Sequence, residues 1–322
     1  LGSQGRAFVA GVTPTAQLTS FSGRSAKDPI RVFVGIDSAR TPDQRARLVV
    51  EELERFGAFD RAVIAIGTSA GSGTVDPGEV TPLEYLLNGD VATASTQYSI
   101  LPSFLSFAVD RPNSVTESVA VLDAVRDRLE AVPAVQRPRL VVFGESLGAY
   151  GANGAFANLD DLIEMTDGAM FQGPPNATAM WRDYTDQRQP GTPEHLPVYD
   201  AGTHLRWANQ PSDLSQPPTP FRAPRAVYLQ NASDPVVWWS PDVLWARPDW
   251  LGEPRGPGVL TWPWLPVITF AGLSGDMMNS QGVPAGHGHV YGTDPVAAWA
   301  DILRPAGWSA ADTARLEQHL GG

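Results

Sequence analysis

Residues 141–152, "VVFGESLGAYGA", run an apolar, β-branched segment into Gly144-Glu145-Ser146-Leu147-Gly148 and on into helix-forming residues. The five-residue core has the form G-x-S-x-G and lies where a buried strand ends and a helix begins. Such a turn strains the serine backbone and lifts its oxygen above the carboxyl edge of a sheet, while flanking glycines let strand and helix approach. The amide of Leu147, at the helix start, then points at an oxyanion forming beside the serine. The competing reading is a glycine-rich turn of the kind many doubly wound folds use. Motif and context together favour the catalytic reading.

The surroundings fit a sheet of parallel strands. Segments 30–35 "IRVFVG", 61–67 "RAVIAIG", 139–143 "RLVVF", 167–173 "DGAMFQG", 225–231 "RAVYLQN" and 265–272 "LPVITFAG" read as strands. Helices are expected between them: 41–57, with Thr41 as N-cap, Pro42 at the first position and Gly57 as stop; short helices within 81–108; and 114–132, with Ser114 and Glu117 at capping-box spacing. Helices over 294–303 and 309–320 close the chain. Alternating strands and helices predict an α/β fold with a mostly parallel sheet covered by helices. Two Pro- and Trp-rich stretches, about 174–224 and 236–263, exceed ordinary connections and read as cap-like or pocket-wall insertions in a single catalytic domain over 1–322.

Composition narrows the function. With 23 Lys+Arg against 35 Asp+Glu the net charge is −12, which argues against a nucleic-acid partner. Cysteine is absent, so disulfides, thiolate nucleophiles and cysteine metal sites are excluded together. No run approaches the ~20 apolar residues needed to span a bilayer, and the chain reads as soluble. The opening "LGSQGRAF" lacks a methionine and reads as the start of a trimmed piece.

A serine hydroxyl needs a base, and the base needs an acid to orient it. On this kind of fold the partners follow in the order serine, acid, histidine. Asp234, just past the 225–231 strand, is the expected acid, with Asp276 in reserve after the next one. Two of the five histidines, His287 and His289, lie in "PAGHGHVYG" before the 294–303 helix. His289 is favoured as base because Tyr291 and Thr293 connect it to that helix, and His287 is the alternative. His-x-His also suggests metal, but no H-E-x-x-H accompanies it, so neither metal nor cofactor is expected. Ile36, where the first strand ends, is the candidate second oxyanion amide. The loop "GTSAGSGTVDP" lacks the lysine of a P-loop and is expected to shape the cleft. Trp238, Trp239, Trp245, Trp250, Trp262 and Trp264 crowd one excursion and suit either an acyl-chain pocket or membrane-facing rim, or a small core of their own. Asn176-Ala-Thr178 and Asn231-Ala-Ser233 match glycosylation acceptors and are assigned no role.

Together, "PIRVFVGIDSA", "QYSILPSFLSFAVD", "VVFGESLGAYG", "YLQNASDPVVWWS", "RPDWL" and "VPAGHGHVYG" resemble a family of actinobacterial α/β-hydrolases whose catalytic domain follows an N-terminal membrane-embedded region. The resemblance covers nearly the whole chain. It implies an α/β-hydrolase fold and a serine hydrolase at the extracytoplasmic face of the cell membrane, tethered through a segment absent from this chain. It puts the nucleophile on Ser146, the acid on Asp234 and the base on the His287/His289 pair. An aromatic residue is expected where this chain has Thr74, which implies a wider cleft. The expected reaction is cleavage of carboxylic esters, lipid-like by this reading of the excursions, through an acyl-enzyme. An acyltransferase with the same triad and a non-catalytic binding domain are the alternatives.

Overall fold

The computed structural model describes residues 1–101, 110–261 and 263–321. Seven parallel strands form one sheet: β1 Ile30–Val34, β2 Val63–Thr68, β3 Val91–Thr96, β4 Arg139–Glu145, β5 Gly168–Gln172, β6 Leu205–Ala208 and β7 Arg225–Leu229. Their spatial order is β1-β3-β2-β4-β5-β7-β6, so β4 stands at the centre. Its Val63↔Arg139 register with β2 and Val141↔Gly168 register with β5 align the carboxyl ends along one edge. That edge collects the loops that carry the site.

Helices cover both faces, as buried parallel strands require. They are α1 Ser3–Ala10, α2 Thr15–Ser22, α3 Pro42–Arg55, α4 Pro77–Leu86, α5 Arg111–Glu130, α6 Leu147–Asn153, α7 Leu159–Met165, α8 Ala179–Asp186, α9 Pro235–Trp238, α10 Pro266–Asn279, α11 Asp294–Leu303 and α12 Ala310–Gly321. Helix α3 starts as its sequence dictates: the Thr41 hydroxyl accepts from Gln44 N at 3.3 Å and Pro42 fills the first position. One face of the sheet packs Val32, Ile64, Val142 and Phe171 against α3, α5 and α6; the other packs Phe143, Met170 and Val227 against Trp299 and Ile302 of α11. Among the described residues, no helix is long and apolar enough to cross a membrane.

Four elements differ from expectation. Strand β3, "VATAST", lies in the stretch read as short helices, since its small residues carry little hydrophobic signal although all six are buried; of that stretch, 102–108 lies outside the described residues. The segment 265–272 is no strand. Pro266 opens a 14-residue helix whose first turn is tied by Leu265 N donating to Thr269 Oγ1 at 3.0 Å. Helix α5 starts at Arg111, so Ser114 and Glu117 are no capping box; Glu117 instead accepts from Arg45 Nε at 2.9 Å. Finally, the 174–224 excursion is more than a pocket wall, because it contributes α8 and edge strand β6.

Candidate active site

Ser146 occupies the corner between β4 and α6 with φ 57° and ψ −123°, left-handed backbone that a non-glycine residue adopts only under constraint. The constraint is close packing. A Cβ on Gly144 would lie 2.5 Å from the Gly148 carbonyl carbon, and one on Gly148 would lie 2.2 Å from Thr68 O. Ser146 N donates to Gln172 O at 2.9 Å, fixing the corner to the neighbouring strand. The Ser146 side chain is half-buried.

The acid loop leaves β7, two strands from β4, which at ~4.8 Å per strand sets Asp234 about 10 Å away along the edge. Asp234 Oδ1 accepts from Val236 N at 2.9 Å, capping α9. Its Oδ2 accepts from Tyr291 Oη at 2.6 Å and lies 2.7 Å from His289 Nδ1. Asp234 and His289 are both buried, and among the described residues His289 Nε2 has no hydrogen-bond partner. An imidazole held at Nδ1 by a carboxylate, with Nε2 uncommitted, is oriented to exchange a proton at Nε2.

The space between the two outer groups belongs to the strand between them. Gly173, φ 52°, directly follows β5, and a Cβ there would stand 2.4 Å from His289 Cε1 and 2.9 Å from Tyr291 Oη. The imidazole therefore lies over the end of β5, in room only a glycine leaves. The histidine loop is anchored from the acid loop: Asn231 Nδ2 donates to Gly288 O at 3.0 Å and Val290 O at 3.2 Å, and Ser233 Oγ accepts from Gly288 N at 3.1 Å. Asn231 and Ser233, passed over as a glycosylation match, thus build the site. In sequence Tyr291 reads only as a connector to the 294–303 helix. The "QG" at the end of the 167–173 strand was the one sequence signal for Gly173.

His289 is pulled in two directions. Burial lowers its basicity, but the Asp234 carboxylate, with Glu145 and Asp76 adding to it, outweighs burial and pushes the imidazole up to about 9. Burial, reinforced by Asp234, drives the Tyr291 phenol well above its ordinary value, so Tyr291 is a fixed hydrogen-bond donor.

The remaining candidates lie elsewhere. His287 is exposed and flanks Gly258, where a Cβ would come 2.7 Å from its Nδ1. Asp276 is exposed on α10 and lines the pocket beside the acid loop, but the segment before it is helix and leads to no sheet edge. Ile36 opens a short 3-10 turn after β1. Strands β3 and β2 separate β1 from β4, about 14 Å at ~4.8 Å per strand, so the structure does not bring Ile36 to Ser146. The loop that does reach the elbow follows β2, in register through Thr68↔Gly144. There Ala70 N donates to Thr74 O and Gly71 N to Tyr98 Oη, while Ser69 lies fully buried beside them.

A pocket of about 370 Å³ opens next to the acid loop, bounded by Ser233, Trp238, Trp250, Leu251, Ile268 and Leu273. Trp238 is shared: its indole packs edge-on against Trp181 and its Nε1 donates to Ala232 O at 2.8 Å. Trp238 and Trp250 therefore serve core and pocket wall at once. Trp262, and the part of the "QYSILPSFLSFAVD" segment from 102 to 109, lie outside the described residues.

No curated protein matches the chain. Among solved structures, an acetylxylan esterase is similar at 17% identity and TM-score 0.34, over 55% of this chain and 85% of its own. A Trichoderma reesei cutinase in complex with a phosphonate inhibitor is similar at 13% identity and TM-score 0.33, over 61% of this chain and 76% of its own. The profile of an α/β-hydrolase family matches residues 30–316. With the elbow, the sheet order and this match over most of its length, the chain belongs to the α/β-hydrolase family.

Proposed function

We propose that the protein is a serine hydrolase of carboxylic esters acting through an acyl-enzyme. The observation that carries this reading is the buried Asp234–His289 pair, with Nε2 uncommitted, on the same sheet edge as the strained Ser146 corner. Ser146 Oγ attacks the ester carbonyl carbon while His289 Nε2 takes its proton. Asp234 holds the imidazole in the Nδ1–H tautomer and stabilises the imidazolium. The amides of Leu147 and Ser69 hold the oxyanion, Ser69 taking the part first expected of Ile36. Collapse of the tetrahedral adduct expels the alcohol, which leaves with the proton from His289. Water, deprotonated by the same nitrogen, then attacks the acyl carbon and releases the acid and Ser146.

A lipid-like acyl group is the substrate class we propose. Its support is the apolar pocket beside Ser233, whose volume falls in the range of ligand sites, and the character of the segment around it. Residues 256–290 hold one charged side chain, Asp276, apart from the two histidines, in a chain of net charge −12. Val267, Ile268 and Met278 of α10 are 69%, 56% and 85% exposed. Such a charge-poor apolar face suits contact with lipid. It also fits the resemblance to actinobacterial enzymes held at the extracytoplasmic membrane face behind an N-terminal membrane-embedded region, a location we propose for this chain.

The test is a fluorophosphonate probe followed by peptide mapping. Labelling at Ser146 in the native protein, lost in Ser146→Ala together with turnover of p-nitrophenyl esters, is the expected result. A folded protein that stays unlabelled would leave a non-catalytic binding domain as the better reading.

A further inference from the structure

The side chain between Gly144 and Ser146 takes no part in the acyl-transfer steps, yet it is held by a network of its own. Glu145 Oε1 accepts from Gln172 Nε2 at 3.0 Å, and the same nitrogen reaches Asp76 Oδ2 at 3.3 Å. Asp76 also caps α4, its Oδ1 accepting from Gly78 N at 2.9 Å. One turn on, Glu79 is buried; among the described residues its Oε1 and Gln172 Oε1 have no hydrogen-bond partner. Gln172 ties this network to the site twice. Its carbonyl accepts from Ser146 N at 2.9 Å, and its neighbour Gly173 abuts the His289 imidazole.

Two carboxylates sharing one neutral donor repel each other, and burial disfavours the charge on Glu145 further. Burial first, then Asp76 and Asp234, push Glu145 up to about 7, against the opposing pull of His289. Glu79 is raised well above its ordinary value, by burial first and then by Glu145 and Asp76.

We propose that Glu145 is a positioning residue whose carboxylate, held under the elbow by Gln172, governs how readily His289 gives up its proton. This rests on the triad reading above. The charged groups acting on His289 come from three directions: Asp234 at its Nδ1 side, Glu145 at the end of β4, and Asp76 at the start of α4; Tyr291 shares the Asp234 oxygen with the imidazole, and Glu79 lies one turn beyond Asp76. All are acids. As pH rises through neutrality Glu145 becomes charged and holds the imidazolium more tightly. That stabilises the protonated histidine of the tetrahedral stage and leaves less free base at neutral pH.

The experiment is Glu145→Gln, which keeps an oxygen acceptor for Gln172 Nε2 but removes the charge. The acid limb of kcat/KM should move down by about one pH unit, so that turnover at pH 6.5 rises several-fold. The His289 imidazole, followed by NMR, should lose its proton at a correspondingly lower pH. Glu145→Asp, which keeps the charge, should hold the limb near its native position. An unmoved limb and an unmoved imidazole titration in folded E145Q would overturn the proposal, as would a loss of rate in both variants with the limb in place. If E145Q does not fold, the native protein decides. A His289 titration centred near its ordinary value, with no inflection near neutrality from a neighbouring carboxyl, would refute the idea. The NMR readout needs no turnover, so it separates this proposal from the esterase reading, which fluorophosphonate labelling tests.

Discussion

Gly173→Ala isolates the room that β5 leaves for the base. A Cβ there would stand 2.4 Å from His289 Cε1, 2.8 Å from His289 Nδ1 and 2.9 Å from Tyr291 Oη, against ordinary contacts of 3.4–4 Å. The ring must retreat by about 1 Å, which breaks its 2.7 Å contact with Asp234 Oδ2. Misplacement of a catalytic group by ~1 Å costs on the order of 10²-fold in rate. The left-handed backbone at Gly173, φ 52°, adds about 1–2 kcal/mol of strain to any alanine variant. Gly23→Ala supplies the matched control: its φ is 68°, it closes α2, and a Cβ there meets nothing within 4 Å. Both variants should therefore melt a few degrees lower, while only Gly173→Ala loses ~10²-fold in kcat/KM for a p-nitrophenyl ester. The assay pairs turnover with thermal unfolding. Gly173→Ala retaining activity within threefold of Gly23→Ala would refute the placement of the imidazole over the end of β5.

Asp234→Asn should lower turnover on the order of 10⁴-fold through loss of the tautomer, whereas Asp276→Asn, at the exposed rim of the pocket, should change it far less; comparable losses would reassign the acid. His289→Ala should cost several orders of magnitude and the exposed His287→Ala far less, and the reverse ranking in steady-state kinetics would exchange their roles. Gly148→Ala sets a Cβ 2.2 Å from the Thr68 carbonyl oxygen and should prevent soluble folding, so a native-like circular dichroism spectrum would contradict the elbow packing. Stability and activity should run in opposite directions with pH. Burial first raises Glu145, Glu194 and Asp294 to about 7, so each favours the folded state at low pH and loses that contribution between its unfolded value near 4 and about 7. His289, raised to about 9, likewise loses its contribution between about 6.5 and 9, over the range in which it becomes the free base. The melting temperature should therefore be higher at pH 5.5 than at pH 9 while kcat/KM rises over the same interval; parallel trends would argue against these shifts.

The sequence by itself determined the central strand, the serine corner and the places along the chain where the candidate acid and base lie. Each rests on local chemistry: β-branched apolar runs extend, glycines permit the tight corner, and at 41–42 the Thr N-cap hydroxyl and the Pro ring both favour a helix start. Strand β3 stayed hidden because small residues become a strand only when neighbours bury them on both faces. Helix α10 was read as a strand because an eight-residue apolar window has no period that separates the two; its continuation to Asn279 decides for helix. The candidate oxyanion donor depends on spatial strand order. In sequence the first strand looked as good as the second, and only the β1-β3-β2-β4 arrangement moves Ile36 away and brings the loop after Thr68 to the elbow. Tertiary structure alone made a site of Gly173, Asn231, Tyr291 and Glu145. Their parts come from β5 lying between β4 and β7, from the acid loop holding the histidine loop, and from carboxylates 69 positions apart in the chain, Asp76 and Glu145, meeting at one amide of Gln172. Packing of distant segments is what changes a residue's charge and reach, and that information is spread over the whole chain.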